Sequence, residues 1–237
     1  MLFSDTNQLD DLKAFLVKWY GSYNLEYGVP EWDVPKYIPR ALRELYLFAG
    51  RWQETRSSCD PLSPEIFQYQ DCLYPIERIK IEDGRIDFVC ENQGNWICQV
   101  NANDDDTEVF SNSRMLWDEH ADGYEVCCRS LYHFLKTFCL QEIVFGCKKL
   151  YTVCIKAEGD IGNFKDMFRE PVVDIWLDGY YSYPYDDGPS HSFYQCGPLL
   201  IMSLYGEIWI GYNSDDDIES VMGNIPSLAY LSQINPY

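Results

Sequence analysis

The sequence predicts an α+β protein, an antiparallel sheet meander flanked by helices and followed by a β-rich C-terminal extension. Three observations carry that expectation. Apolar residues recur at three- and four-residue intervals near the N-terminus and again from Ser130. Between those stretches they alternate with polar residues. Turn-forming Asp-Gly and Asn/Gly segments divide the alternating runs.

The first helix is expected over Gln8 to Tyr20, where Leu9, Leu12, Phe15, Leu16, Trp19 and Tyr20 share a face and Gly21 supplies a stop. An aromatic, proline-rich loop runs from Tyr23 to Tyr37. The second helix starts near Pro39, a residue suited to the first helical position, and ends at Gly50. Phe67 to Tyr74 predicts a strand. Ile79 and Ile81 lead into a two-residue turn at Asp83-Gly84, and Ile86, Phe88 and Cys90 return from it. A second turn is expected at Asn92 to Asn95, with Trp96, Cys98 and Val100 on the next strand. Asn103 to Asp106 makes an acidic turn before a short strand at Glu108 to Phe110. Leu131, Phe134, Leu135, Phe138 and Leu140 then form one face of a closing helix. Residues 1–148 therefore read as one α+β domain. Residues 149–237 read as an extension of the same globule, with strands at Tyr151 to Ile155, Val172 to Leu177, Phe193 to Gln195, Leu199 to Leu204 and Glu207 to Tyr212. A short helix is expected near Ile218 to Met222.

Composition bounds the function. The 237 residues carry a net charge of −20, from 38 acidic against 18 basic side chains. Such a field repels phosphate backbones, so nucleic acid is not an expected partner. It attracts cationic proteins and speeds their association. With 46% hydrophobic and 16% aromatic residues the chain has ample material for a core. The ten Cys include no C-x-x-C pair, and several stand in apolar runs, as Cys90 and Cys139 do. Met1 to Asp11 holds three Asp and neither a cationic nor an apolar signal region. No stretch is long and apolar enough to span a bilayer. The expectation is a cytoplasmic protein with reduced thiols, no membrane association, and a monomeric or weakly dimeric state.

Catalytic and metal-binding signatures are missing. No G-x-S-x-G elbow, P-loop or H-E-x-x-H helix occurs, and acidic residues are so common that chance carboxylate pairs carry no signal. His120, His133 and His191 stand alone, none at ligand spacing from a Cys. A calcium loop begun at Asn213 would place Ile218 where Gly is required and Asn224 where a bidentate Glu belongs. No enzyme, cofactor or metal is expected.

Three segments in order resemble the SUKH superfamily, the Smi/Knr-type proteins that serve bacteria as immunity proteins against polymorphic toxins. They are Ile38-Pro39-Arg40-Ala41-Leu42-Arg43-Glu44-Leu45-Tyr46, Glu91-Asn92-Gln93-Gly94-Asn95-Trp96, and Ser130-Leu131-Tyr132-His133-Phe134-Leu135. The likeness covers roughly residues 8 to 145. The stretch between Gly50 and Phe67 departs from it, as does the chain after Lys148. It implies a SUKH-like α+β fold, non-catalytic binding of a cognate toxin domain, no cofactor, and the bacterial cytoplasm. A regulatory or scaffold module of the same superfamily is the alternative.

The residues assigned to the partner surface are Glu91, Gln93, Asp104, Asp105, Asp106 and Glu108. The Glu91 to Asn95 segment can fix a turn, contact the partner, or do both. The run Asp104 to Asp106 with Glu108 can be a solvated turn or can steer a basic toxin, for instance a nuclease. Asp186-Asp187 and Asp215 to Asp217 are further acidic runs.

Overall fold

Leu12, Phe15 and Leu16 give α1 (Asp10–Tyr20) its buried face, with Asp10 and Asp11 in the first turn, where the helix dipole favours negative charge. Gly21 ends it at φ 70°, its N–H bonded to the Val17 carbonyl. α2 (Arg40–Ala49) buries Ala41, Leu42, Leu45, Tyr46 and Ala49. Pro39 stands just outside α2 as its cap, not as its first helical residue, and its carbonyl takes the Arg43 N–H at 2.9 Å. The structure, a computed structural model, describes residues 3–4, 7–21, 23–52, 64–116, 118–154, 164–166, 168, 170–179, 191–204, 207–214 and 231–234.

The chain divides into two units. One comprises residues 4–142 and 180–187, the other residues 1–3, 143–179 and 188–237. The division falls inside α3 (Leu131–Phe145), whereas the sequence reading sets the boundary after Lys148.

The first unit contains the expected antiparallel meander. Its strands are β1 (Asp71–Leu73), β2 (Ile81–Glu82), β3 (Arg85–Glu91), β4 (Ile97–Asn101), β5 (Val109–Ser111) and β6 (Glu125–Cys128), in the order β1-β3-β4-β5-β6 with β2 on β3. Asp83 and Gly84 both take positive φ, 50° and 80°, as a two-residue hairpin turn requires. α3 packs on the sheet: Phe134 meets Phe88 edge-on at 5.4 Å, and Phe138 meets Phe67 at 6.0 Å. Buried Lys136 on α3 reaches Asp11 on α1 at 3.1 Å and the Ser4 carbonyl at 2.5 Å. Lys13 of α1 pairs with Glu44 of α2 at 3.3 Å.

Two expectations are corrected here. The predicted strand Phe67 to Tyr74 is a 3-10 turn at Glu65–Phe67 followed by the three-residue β1. The backbone N–H groups of Tyr69, Gln70 and Asp71 are taken by the Glu142 carboxylate, at 2.6, 2.9 and 2.9 Å, so Tyr69 and Gln70 need no ladder partner and pairing starts only at Asp71. β6 has no counterpart in the sequence reading. Its pairing with β5 shifts register between Val109 and Phe110, and the bulge breaks the alternation that marks a strand.

The second unit is a six-stranded antiparallel sheet of β7 (Lys149–Cys154), β8 (Val173–Gly179), β9 (His191–Cys196), β10 (Leu199–Leu204), β11 (Glu207–Tyr212) and β12 (Leu231–Ile234), in the order β12-β7-β11-β10-β9-β8. One face gathers Phe164, Phe168, Tyr194, Ile201, Ile208, Ile210 and Tyr212 into a core. The other receives the end of α3: Phe145 lies 5.0 Å from Trp209, and a Cβ at Gly211 would stand 2.6 Å from Cys147 Sγ. β10 and β11 match their expected bounds. β12 was not expected, and the helix expected at Ile218 to Met222 lies outside the described residues.

Candidate partner-binding surface

Glu91 closes β3, and its carboxylate folds back over the turn that follows. Oε2 accepts the backbone N–H of Gln93 at 3.0 Å, the backbone N–H of Asn95 at 3.2 Å and the Asn95 side-chain amide at 2.9 Å. Gly94 takes φ 75° and donates its N–H to the Glu91 carbonyl at 2.8 Å. Of the two roles left open for this segment, Glu91 performs the turn-forming one. Gln93 projects outward and is exposed.

The acidic loop after β4 is held at several points. Ala102 donates its N–H to the Gly84 carbonyl at 2.9 Å, and Asn103, at φ 61°, donates to the Tyr37 carbonyl at 2.8 Å. Buried Thr107 accepts the Asn101 N–H with its hydroxyl at 3.3 Å. The Ser130 hydroxyl donates to Asp106 at 2.9 Å, just ahead of α3, where a carboxylate also complements the helix dipole. Asp104, Asp105 and Glu108 are left exposed. Asp105 lies near enough to Arg40 at the start of α2 to help raise the guanidinium pKa, behind the larger effect of the Glu44 hydrogen bond. Tyr132, beside Glu44, has its hydroxyl pushed up to about 12, first by burial and then by that carboxylate.

These two groups of residues do not meet. The 92–95 turn and the 102–108 loop flank a single strand, β4, and successive turns of a meander lie at opposite ends of the strand they share. Five strand residues separate the ends by about 17 Å. Asp104 to Glu108 form one patch, and Gln93 belongs to another. Asp186-Asp187 and Asp215 to Asp217 lie outside the described residues.

The sequence reading passed over the most exposed Phe, Tyr or Trp among the described residues. Trp32 shows 86% of its surface and Leu25, in the same loop, 84%. Trp32 sits in a 3-10 turn, Glu31–Asp33, with Pro30 before it and Val34-Pro35 after. Both flanking carboxylates are anchored: Glu31 to Arg43 on α2 at 3.2 Å, and Asp33 to Arg51 at 3.3 Å. The signal was legible as Pro-Glu-Trp-Asp-Val-Pro, an aromatic between two acids in a Pro-bracketed loop. α2 thus supports both features, the acidic loop beside its first turn and the Trp32 turn through Arg43.

Elsewhere the titratable groups are built into the architecture. Glu142 and Asp71 are buried together, with Gln141 donating to Asp71 at 2.8 Å. The Glu142 carboxyl is pushed up to about 8 by burial and by Asp71, against the pull of its three backbone donors. His191 is buried in β9 and driven down to about 3 by desolvation, so it is neutral at pH 7. His120 is exposed, 3.8 Å from Glu119, and His133 is half-buried on α3. Among the described residues, no group of three or more His, Cys, Asp and Glu could hold a metal ion, and no helix is long and apolar enough to cross a membrane. Comparison with family models, with curated proteins and with solved structures returned no match.

Proposed function

We propose that this chain is an immunity protein that binds a basic toxin domain in the bacterial cytoplasm and blocks it by covering it, with no chemistry of its own. The observation that carries the reading is the acidic loop 102–108. Its backbone is tied to Tyr37 and Gly84, its Thr107 hydroxyl accepts the Asn101 N–H of β4, and Asp104, Asp105 and Glu108 face solvent. A loop ordered before binding loses little entropy on association. Its charge adds to a field of −20, which draws in cations. The three segments that resemble the SUKH superfamily fall on α2, the β3–β4 turn and the start of α3, all within one unit.

The test is co-purification with the protein encoded by the adjacent gene, followed by association kinetics at two salt concentrations. Asp104→Lys with Asp105→Lys is the informative variant, because Asp106 is engaged with Ser130. The on-rate is expected to fall at least about tenfold in the variant, and comparably for the wild type between low and high salt. Folding should hold within about 0.5 kcal/mol per site. An on-rate unmoved by both the variant and the salt, with the variant folded, refutes the assignment.

A further inference from the structure

We propose that Cys72 and Cys90 form a thiol-modification site, a cross-strand dithiol that closes to a disulfide by exchange with a low-molecular-weight disulfide such as oxidised glutathione. The proposal stands apart from the partner-binding reading. β1 and β3 run antiparallel, and their register sets Cys72 directly opposite Cys90. Directly opposed residues of an antiparallel pair have Cα atoms about 4.5–5.5 Å apart and point to the same face. That falls inside the ~4.4–6.8 Å span a disulfide bridges without backbone movement. Neither is disulfide-bonded, and the two thiols hydrogen-bond each other.

No other pair of described cysteines is placed this way by strand pairing. Cys98 on β4 and Cys127 on β6 interact through their side chains, but β5 runs between their strands. Two inter-strand spacings put their backbones about 9–10 Å apart, beyond disulfide reach. Cys128 lies opposite Val109, and Cys196 opposite Leu199.

Reactivity separates the two partners. Cys90 is half-buried, whereas Cys72 is 9% exposed, so Cys90 meets an incoming reagent first. The Cys90 thiol is drawn below its ordinary pKa, chiefly by a hydrogen bond with Cys72 and with help from Tyr74. Burial pushes Cys98, Cys128, Cys139 and Cys196 the other way. The thiolate is the nucleophile in exchange, so Cys90, the more exposed of the two and drawn below its ordinary pKa, attacks.

The chemistry balances in two steps. Cys90 thiolate attacks one sulfur of oxidised glutathione, whose S–S bond breaks, and one glutathione leaves as a thiolate that takes up a proton. Cys72 then loses its proton to solvent and attacks the Cys90 sulfur, and the mixed disulfide releases the second glutathione. Two protein thiols are oxidised, and one glutathione disulfide is reduced to two glutathiones.

The experiment treats the reduced full-length chain with oxidised glutathione at pH 7, blocks remaining thiols, and maps disulfide-linked peptides by mass spectrometry. The expected result is loss of two thiols as a pair, one cross-linked species joining the peptides of Cys72 and Cys90, and its reversal by dithiothreitol. Cys72→Ser, folded by circular dichroism, should stop at a glutathione adduct on Cys90, and Cys90→Ser should give neither adduct nor link. A wild-type chain that keeps all its thiols, or a link joining other cysteines, overturns the proposal whatever the variants do.

Discussion

Glu142 makes the stability of the first unit depend on pH in a direction opposite to that of most carboxylates. The side chain is fully buried and accepts three backbone N–H groups from residues 69–71. Its carboxyl is raised from the ordinary 4.5 to about 8 by burial and by Asp71. The folded state therefore holds the proton more tightly than the unfolded chain. Stability from this group is fully present below about pH 4.5 and is lost as pH rises through about 8. Each tenfold change in proton affinity is worth about 1.4 kcal/mol, which caps the loss at roughly 5 kcal/mol. Asp71 shares the titration, so the slope is shallower than that of an isolated acid. Glu142→Gln removes the ionisation. Its amide oxygen can serve two of the three donors, but its NH₂ then faces the third, which costs about 1–3 kcal/mol at pH 5. Urea denaturation of both proteins at pH 5 and pH 8 checks the account. The wild type should lead at pH 5, and its lead should shrink or vanish by pH 8. A lead that grows with pH refutes the reasoning.

Other outcomes follow from the same contacts. Lys136→Met strips the cation from Asp11, whose side chain is only 9% exposed but keeps hydrogen bonds from Ser4 and Leu12, so unfolding should come about 3 kcal/mol easier in denaturant titrations. Trp32→Ala removes a ring that contributes almost nothing to the core, so its melting temperature should match the wild type within a few degrees. The same variant should weaken binding to the neighbouring-gene product at least about tenfold, read by calorimetry.

The parts of the fold legible in the sequence are those with a local cause. Asp83-Gly84 dictates a two-residue turn because both residues tolerate positive φ. Leu199 to Met202 form a continuous buried run and Glu207 to Ile210 alternate, and both stretches are apolar segments of strand length. The stretch 65–70 could not be read correctly, because Glu142, distant in sequence, takes the N–H groups of Tyr69 and Gln70 and β1 starts only at Asp71. β6 was hidden by a bulge whose cause lies in pairing with β5. For the site, the acidic loop was visible as a charge run, but its grip on Ser130 and Tyr37 was not. That Gln93 and Asp104 cannot share a patch was deducible from the meander itself, since one strand separates their turns. Trp32 was lost among many aromatics, and a count of aromatics does not say which ones the core leaves out.

On the proposed reading, the charged loop and the exposed ring would act on different rates. Carboxylates at Asp104, Asp105 and Glu108 reach an approaching cation over about a Debye length, ~8 Å at physiological salt, so they raise the frequency of productive encounters. They add little to residence time, because exposed pairs are worth about 0–1 kcal/mol once formed. Trp32 has no such reach. Covering its exposed face would remove on the order of 150–200 Å² of largely apolar surface from water, at about 25 cal/mol per Å² some 4–5 kcal/mol before the costs of association. That contribution exists only in the docked complex and therefore slows dissociation. The Glu31–Arg43 and Asp33–Arg51 pairs hold the turn that carries the ring, so docking need not order it first. Asp104→Lys with Asp105→Lys should then lower the on-rate and leave the off-rate nearly fixed, while Trp32→Ala should do the reverse. If Trp32→Ala slows association and leaves the lifetime of the complex unchanged, the ring is not in the interface.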